Sequence, residues 1–230
     1  MDISLAGRSA VVTGGSKGIG FAVATRFAKS GADVAIVARG RAALDQAVKS
    51  IGAGARGRVI GVQGDVAGAA DIKRGYDEIM QALGRIDIVV NNAGTSATSQ
   101  FEKLTDEFLQ QDFDQKLFAA VRLTRLVWPQ MKERKWGRII NVLNIGAKAP
   151  RGGSAPTSIT RAAGMALTKV LSHEGAHRRD AHGRLYASFD KAIVLDALPE
   201  TDILLDEDVI GASSGKRIQR LVARKDARAV

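Results

Sequence analysis

The chain has 230 residues, 45% of them hydrophobic and 25% charged, a balance that excludes disordered, collagenous and fibrous classes and suits one soluble globular domain spanning residues 1–230. The absence of cysteine excludes disulfides, thiolate zinc sites, iron–sulfur clusters and cysteine nucleophiles, and agrees with a reducing, cytoplasmic setting. The formal charge of +10 is not a basic tail, because residues 1–174 hold 24 basic and 15 acidic side chains and no run of five consecutive basic residues occurs.

Short Val/Ile-rich runs alternate with longer helical patterns along the chain, the signature of βαβ units and a parallel sheet. Residues 9–13 (SAVVT) predict a first strand and 33–38 (DVAIVA) a second, with a helix over about 18–30 that Gly31 stops. A helix over about 41–51 leads to a third strand at 58–63, and one over about 69–83 leads to a fourth at 86–91. Phe101, Leu104, Phe108, Leu117, Val121, Leu123 and Val127 suggest one long helix that ends before Pro129. A fifth strand is expected at 138–143 (RIINVL). A helix over about 157–174 follows, with Ile159, Ala162, Ala163, Ala166, Leu167, Val170 and Leu171 on a wide apolar stripe. The pattern weakens beyond residue 175, where a sixth strand is expected at 192–198. The whole reads as an α/β, Rossmann-type doubly wound parallel sheet.

The turn Thr13-Gly14-Gly15-Ser16-Lys17-Gly18-Ile19-Gly20 joins the first strand to the first helix. Glycines there let backbone N–H groups approach a pyrophosphate, and the helix N-terminus adds partial positive charge. The second strand ends in Ala38-Arg39, with Arg41 close behind, where a dinucleotide-binding domain meets the adenosine ribose. An acidic residue at that point would favour a free 2′-hydroxyl. Arg39, with Lys17 beside it, instead favours a 2′-phosphate, and hence NADP(H) over NAD(H). The remaining positive charge reads as ordinary surface charge. No aromatic single-strand platform or DNA-binding motif accompanies it, so nucleic acid is not the expected partner. The longest stretch free of charged residues, Ile88 to Phe101, is too short and polar to span a bilayer, and the N-terminus lacks a signal-peptide pattern.

The turn TGGSKGIG, Gly64-Asp65-Val66 after the third strand and Asn91-Asn92-Ala93-Gly94 after the fourth resemble the short-chain dehydrogenase/reductase family in order and spacing, over residues 5–174. The resemblance implies that Gly14, Ser16, Lys17, Gly18, Ile19 and Gly20 hold the cofactor phosphates. It also implies that Asp65 meets adenine, with Val66 among the cofactor-binding residues, and that Asn92, Ala93 and Gly94 line the cofactor. A small carbonyl or alcohol substrate is implied, of 3-oxoacyl type among others. So is a homodimer through the fourth and fifth helices.

The family's chemistry uses a tyrosine acid/base, a lysine four residues later, a serine after the fifth strand and an asparagine in the fourth helix. Aligned with these positions, the chain carries Thr157, Arg161, Asn144 and Lys116 respectively. All four residue types differ. A threonine hydroxyl is a far weaker acid than a phenol that titrates near pH 10. Asn144 can still hold a carbonyl oxygen, and Arg161 can still bind the nicotinamide ribose. Two outcomes remain open: an oxidoreductase with another proton source, or a cofactor-binding protein without dehydrogenase chemistry. Tyr76 lies on the third helix, and Tyr186 with Lys191 has a spacing of five rather than four, so neither replaces the missing phenol.

His173-Glu174-Gly175-Ala176-His177 is a literal HExxH, which on a helix can hold zinc and activate water. Gly175 interrupts it, and a solvated helix end without metal is the favoured reading over a zinc hydrolase. Residues 175–230 diverge from the family pattern. Its usual seventh strand is therefore not expected, nor a tetramer built on that strand.

Overall fold

Alternation along β1 (Ser9–Thr13) sets the layering: Val11 enters one apolar layer while Ala10 and Val12 enter the other, and all three are fully buried. The computed structural model describes residues 4–175 together with the strand segments 178–179, 185–186 and 192–194. After β1 come α1 (Gly18–Lys29), β2 (Asp33–Ala38), α2 (Arg41–Gly52), β3 (Val59–Gln63), α3 (Ala69–Leu83), β4 (Ile88–Asn91) and β5 (Thr98–Ser99). Then follow α4 (Asp106–Phe113), a π-helical turn at Asp114–Phe118, α5 (Ala119–Glu133), β6 (Arg138–Leu143), β7 (Ala155–Pro156) and α6 (Thr157–Gly175). The short strands β8 (Arg178–Arg179), β9 (Leu185–Tyr186) and β10 (Ala192–Val194) complete the described elements.

Six strands form one sheet in the order β10-β6-β4-β1-β2-β3, with every pairing parallel. On one face, Val11, Ala35, Val62 and Val89 pack with Ile72 and Ile79 of α3 and Leu123, Val127 and Met131 of α5. On the other, Val12, Val34, Ile36 and Val90 pack with Ala24 and Ala28 of α1 and Leu44 and Ile51 of α2. Each fully buried Val, Ile or Leu contributes about 1.5–3 kcal/mol of transfer free energy. Strand order runs outward in opposite directions from β1 and β4, so a crevice opens beyond the C-terminal ends of these two strands.

The stretch expected to be one helix is divided. Phe101 lies in a 3₁₀ turn and is 82% exposed, and α4 begins after Thr105, whose hydroxyl accepts a hydrogen bond from the Phe108 N–H at 3.2 Å. Pro129 does not end α5, which continues to Glu133. Its missing N–H removes one helical bond. Val127 and Met131, fully buried on either side of it, keep both turns docked on the sheet. Helix α1 gives way to Gly31 at φ +95° as expected. Of the strand predicted at 192–198, residues 192–194 pair with β6 and the remainder lies outside the described residues. The seventh-strand expectation falls there as well. No described helix is long and apolar enough to cross a membrane.

Asp87, fully buried just before β4, ties the N-terminal edge of the sheet together. Its carboxylate accepts from the Ser9 N–H at 3.1 Å and from Arg85 at 2.7 Å, with an Arg134 nitrogen at 3.5 Å. Asp87→Ala strands that N–H and leaves two cations without their shared anion. A loss of about 3 kcal/mol in urea denaturation is expected, and a smaller one for Asp87→Asn.

Candidate active site

The glycine turn is locked to the end of β4 by side chains. Thr13 Oγ1 accepts hydrogen bonds from the N–H groups of Asn92 and Ala93, both at 3.0 Å, and donates to the Val90 carbonyl. Asn92 Nδ2 donates to the carbonyls of Thr13 at 2.9 Å and Gly14 at 3.3 Å. Gly20 tolerates no side chain, because a Cβ would lie 2.4 Å from the Gly14 carbonyl oxygen and 2.5 Å from Asn92 Nδ2. Gly14 sits at φ +67°, which turns the chain sharply off the strand. Helix α1 starts after Lys17 with no side-chain cap and no acidic residue in its first turn. Its first N–H groups therefore face outward without intrahelical partners.

At the outer end of the crevice, Arg39 follows β2 and is exposed, 3.9 Å from the Asp65 carboxylate. Arg41 is drawn away along α2 by Asp45 at 2.9 Å. Asp65 accepts from the Ala67 N–H at 3.0 Å, and its own N–H donates to Asp71 at 2.8 Å. That backbone bond, with Arg74, holds the Asp71 carboxyl below its ordinary range. Asp65 and Val66 border a small pocket with Val37 and Ile72. Tyr76 packs on the core, and its hydroxyl accepts from Gln130 at 3.3 Å.

Three of the four substituted positions converge. Lys116, on the π-helical turn, reaches Asp112 of α4 through Nζ and donates to Thr157 Oγ1 at 2.7 Å; both charged side chains are almost fully buried. The other Asp112 oxygen accepts from Thr160 at 2.6 Å, and Thr157 Oγ1 also accepts from the Ala97 N–H at 2.9 Å. Arg161 lies alongside, donating to the Val142 carbonyl at 2.9 Å. Gly94 makes room for both cations: a Cβ there would lie 2.8 Å from an Arg161 nitrogen and 3.3 Å from Lys116 Cγ. Burial pushes the Lys116 ammonium below the ordinary lysine range; Asp112 opposes that shift and Arg161 adds to it. Burial likewise lowers Arg161, against the pull of Asp112. Asn144 follows β6, two residues past Val142, with its side-chain amide exposed and making no hydrogen bond to the described residues.

Residues 8–179 match the short chain dehydrogenase family. The chain belongs to that family. It is 36% identical over 176 residues to an uncharacterized oxidoreductase of Methylorubrum extorquens, covering 76% of this chain and 70% of that protein. To an acetoacetyl-CoA reductase of Shinella zoogloeoides it is 30% identical, covering 88% of this chain and 81% of the other. The crystal structure of L-sorbose reductase from Gluconobacter frateurii, complexed with NADPH and L-sorbose, superposes with a TM-score of 0.73 at 37% identity. That match covers 76% of this chain but only 66% of the sorbose reductase.

Within this member of the short chain dehydrogenase family, sequence reasoning missed Asp112 and Thr160. The signal for Asp112 was its position four residues before Lys116 on one helical face. For Thr160 nothing but its neighbour Arg161 pointed to it. In the HExxH segment, α6 ends at Gly175 and His177 lies outside the described residues. Among the described residues no three His, Asp or Glu side chains gather as a metal site. Lys116→Met leaves the Asp112 carboxylate buried and unpaired, so it is expected to cost about 3–5 kcal/mol in chemical denaturation, and Lys116→Met with Asp112→Asn distinctly less.

Proposed function

We propose that this chain binds NADP(H) and uses it to reduce a small carbonyl compound, or to oxidise the corresponding alcohol, with 3-oxoacyl thioesters and ketoses as substrate classes. The observation that carries the reading is the cofactor crevice, in which every side chain that shapes the turn is in place. The residues fit the dinucleotide. Nothing lies within 4 Å of a Cβ built on Gly18, at the uncapped start of α1, so the backbone there is open to a pyrophosphate. Lys17 makes no ion pair among the described residues, and Arg39 has only a long contact with Asp65. Both cations are thus available to a 2′-phosphate, and no carboxylate ends β2 to claim a 2′-hydroxyl. The NADPH bound by L-sorbose reductase supports the same choice.

Arg161 and Asn92–Gly94 would face the nicotinamide end, and Asn144 would orient the substrate oxygen. When bound, the cofactor supplies or accepts the hydride. The reading includes a cytoplasmic, single-domain protein that forms a homodimer through the α4–α5 stretch and α6, the fourth and fifth helices of the sequence pattern. Replacement of the phenol by Thr157 favours a second reading, cofactor binding without dehydrogenase chemistry. NADPH oxidation in the presence of acetoacetyl-CoA or L-sorbose separates the two.

Paired fluorescence titrations with NADPH and NADH test the cofactor choice. The parent protein is expected to prefer NADPH, and Arg39→Asp to weaken NADPH binding about 10–100-fold while leaving NADH within a few-fold, since a charge-assisted bond to phosphate is worth about 1.5–3 kcal/mol. Equal affinity for both cofactors in the parent overturns the assignment.

A further inference from the structure

The hydroxyl of Thr157 is unusually committed for a buried threonine. Its oxygen accepts from Lys116 Nζ at 2.7 Å and from the Ala97 N–H at 2.9 Å, which occupies both lone pairs. Its own O–H has no acceptor among the described residues. That hydrogen is left for a group that the described residues do not supply. Behind the hydroxyl stands an ammonium whose other contact, Asp112, is anchored by Thr160, so Asp112, Lys116 and Thr157 form one buried chain of contacts.

Resting on the reductase reading, we propose that Thr157 is the catalytic residue at the substrate oxygen and that Lys116, positioned by Asp112, is the proton source behind it. As hydride from the dihydronicotinamide bonds to the carbonyl carbon, the C=O π pair becomes a lone pair on oxygen. The Thr157 O–H bond breaks toward that oxygen while a Lys116 N–H bond breaks toward Thr157, so the hydroxyl is re-formed. The lysine is left as a neutral amine, and carbonyl, hydride and one proton have become an alcohol. After the alcohol leaves, water in its place returns a proton along the same path, which suits a lysine with almost no solvent contact of its own. Threonine never carries a full negative charge, so its weak acidity ceases to matter. The acid consumed is an ammonium, comparable in strength to the phenol it replaces.

Asp112 on α4 and Thr157 and Arg161 on α6 face Lys116, while Thr160 of α6 holds the far oxygen of Asp112. Burial and Arg161 lower its pKa and Asp112 raises it. Reduction needs the protonated form, so kcat falls as pH rises through that lowered pKa, and Asp112→Asn moves the alkaline limb to lower pH.

The test follows NADPH oxidation with acetoacetyl-CoA and L-sorbose as probes in the parent and in Thr157→Val, Thr157→Ser, Lys116→Arg and Asp112→Asn. NADPH binding is measured by fluorescence, and lysine ¹³Cε titration by NMR on the same proteins. Thr157→Val and Lys116→Arg are expected to lose about 10²–10⁴-fold in kcat with NADPH affinity within a few-fold of the parent, because the arginine keeps the charge but does not release a proton. Thr157→Ser restores most of the rate. One lysine signal should titrate below 10.5, vanish in Lys116→Arg and shift down in Asp112→Asn. Retained kcat in Thr157→Val or Lys116→Arg overturns the relay, as does an unmoved limb and NMR midpoint in Asp112→Asn. A parent that binds NADPH but reduces neither probe overturns the relay while leaving the cofactor site standing. A parent that binds no NADPH removes both.

Discussion

The architecture depends on a small clasp between two neighbouring parallel strands. Thr13 at the end of β1 and Asn92 just past β4 exchange side-chain and backbone hydrogen bonds across the point where strand order reverses. The clasp adds to the β1–β4 ladder and to the Asp87–Ser9 contact at the other end of these strands, and it fixes the glycine turn against the end of β4. With it, the Gly14 carbonyl and the Asn92 amide are held so near Gly20 that only hydrogen fits there. The crevice is thus shaped without any ligand, and a preformed site reduces the ordering cost of binding.

The opposite end of the crevice is built on charge rather than shape. Lys116 and Asp112 are both removed from water, an expensive arrangement unless each remaining hydrogen-bonding position is filled. Thr157 and Thr160 fill two of them. Two threonines one turn apart on α6 thereby serve one ion pair on α4 and its π-helical extension. The extra residue in that turn matters, since π-helical turns displace side chains from the positions that regular helical spacing would give them.

Much of this was legible in the chain. Short Val/Ile-rich runs marked β1 and β2 as buried strands, and the glycines Gly14, Gly18 and Gly20 marked the phosphate turn, because both follow from local composition and backbone freedom. The aligned positions Lys116, Thr157 and Arg161 were also found, as substitutions within a familiar spacing. What their substitution built was not legible. An Asp–Lys pair four apart reads equally as a solvated surface pair, and only the docking of α4 on α6 shows that water is excluded. Apolar periodicity also overran its limits between Phe101 and Pro129. Phe101 is an apolar residue at an exposed turn, and Pro129 is a helix breaker overruled by the burial of Val127 and Met131.

Asp112 spreads its two oxygens between different elements, one to Lys116 in its own helical segment and one to Thr160 on α6. The carboxylate is therefore a hinge pin as well as a counter-ion. A change at Lys116 therefore falls on a carboxylate that also joins α4 to α6. The ion pair and the α4–α6 contact thus share one carboxylate, so neither partner of the pair can be exchanged without touching the join between these two helices.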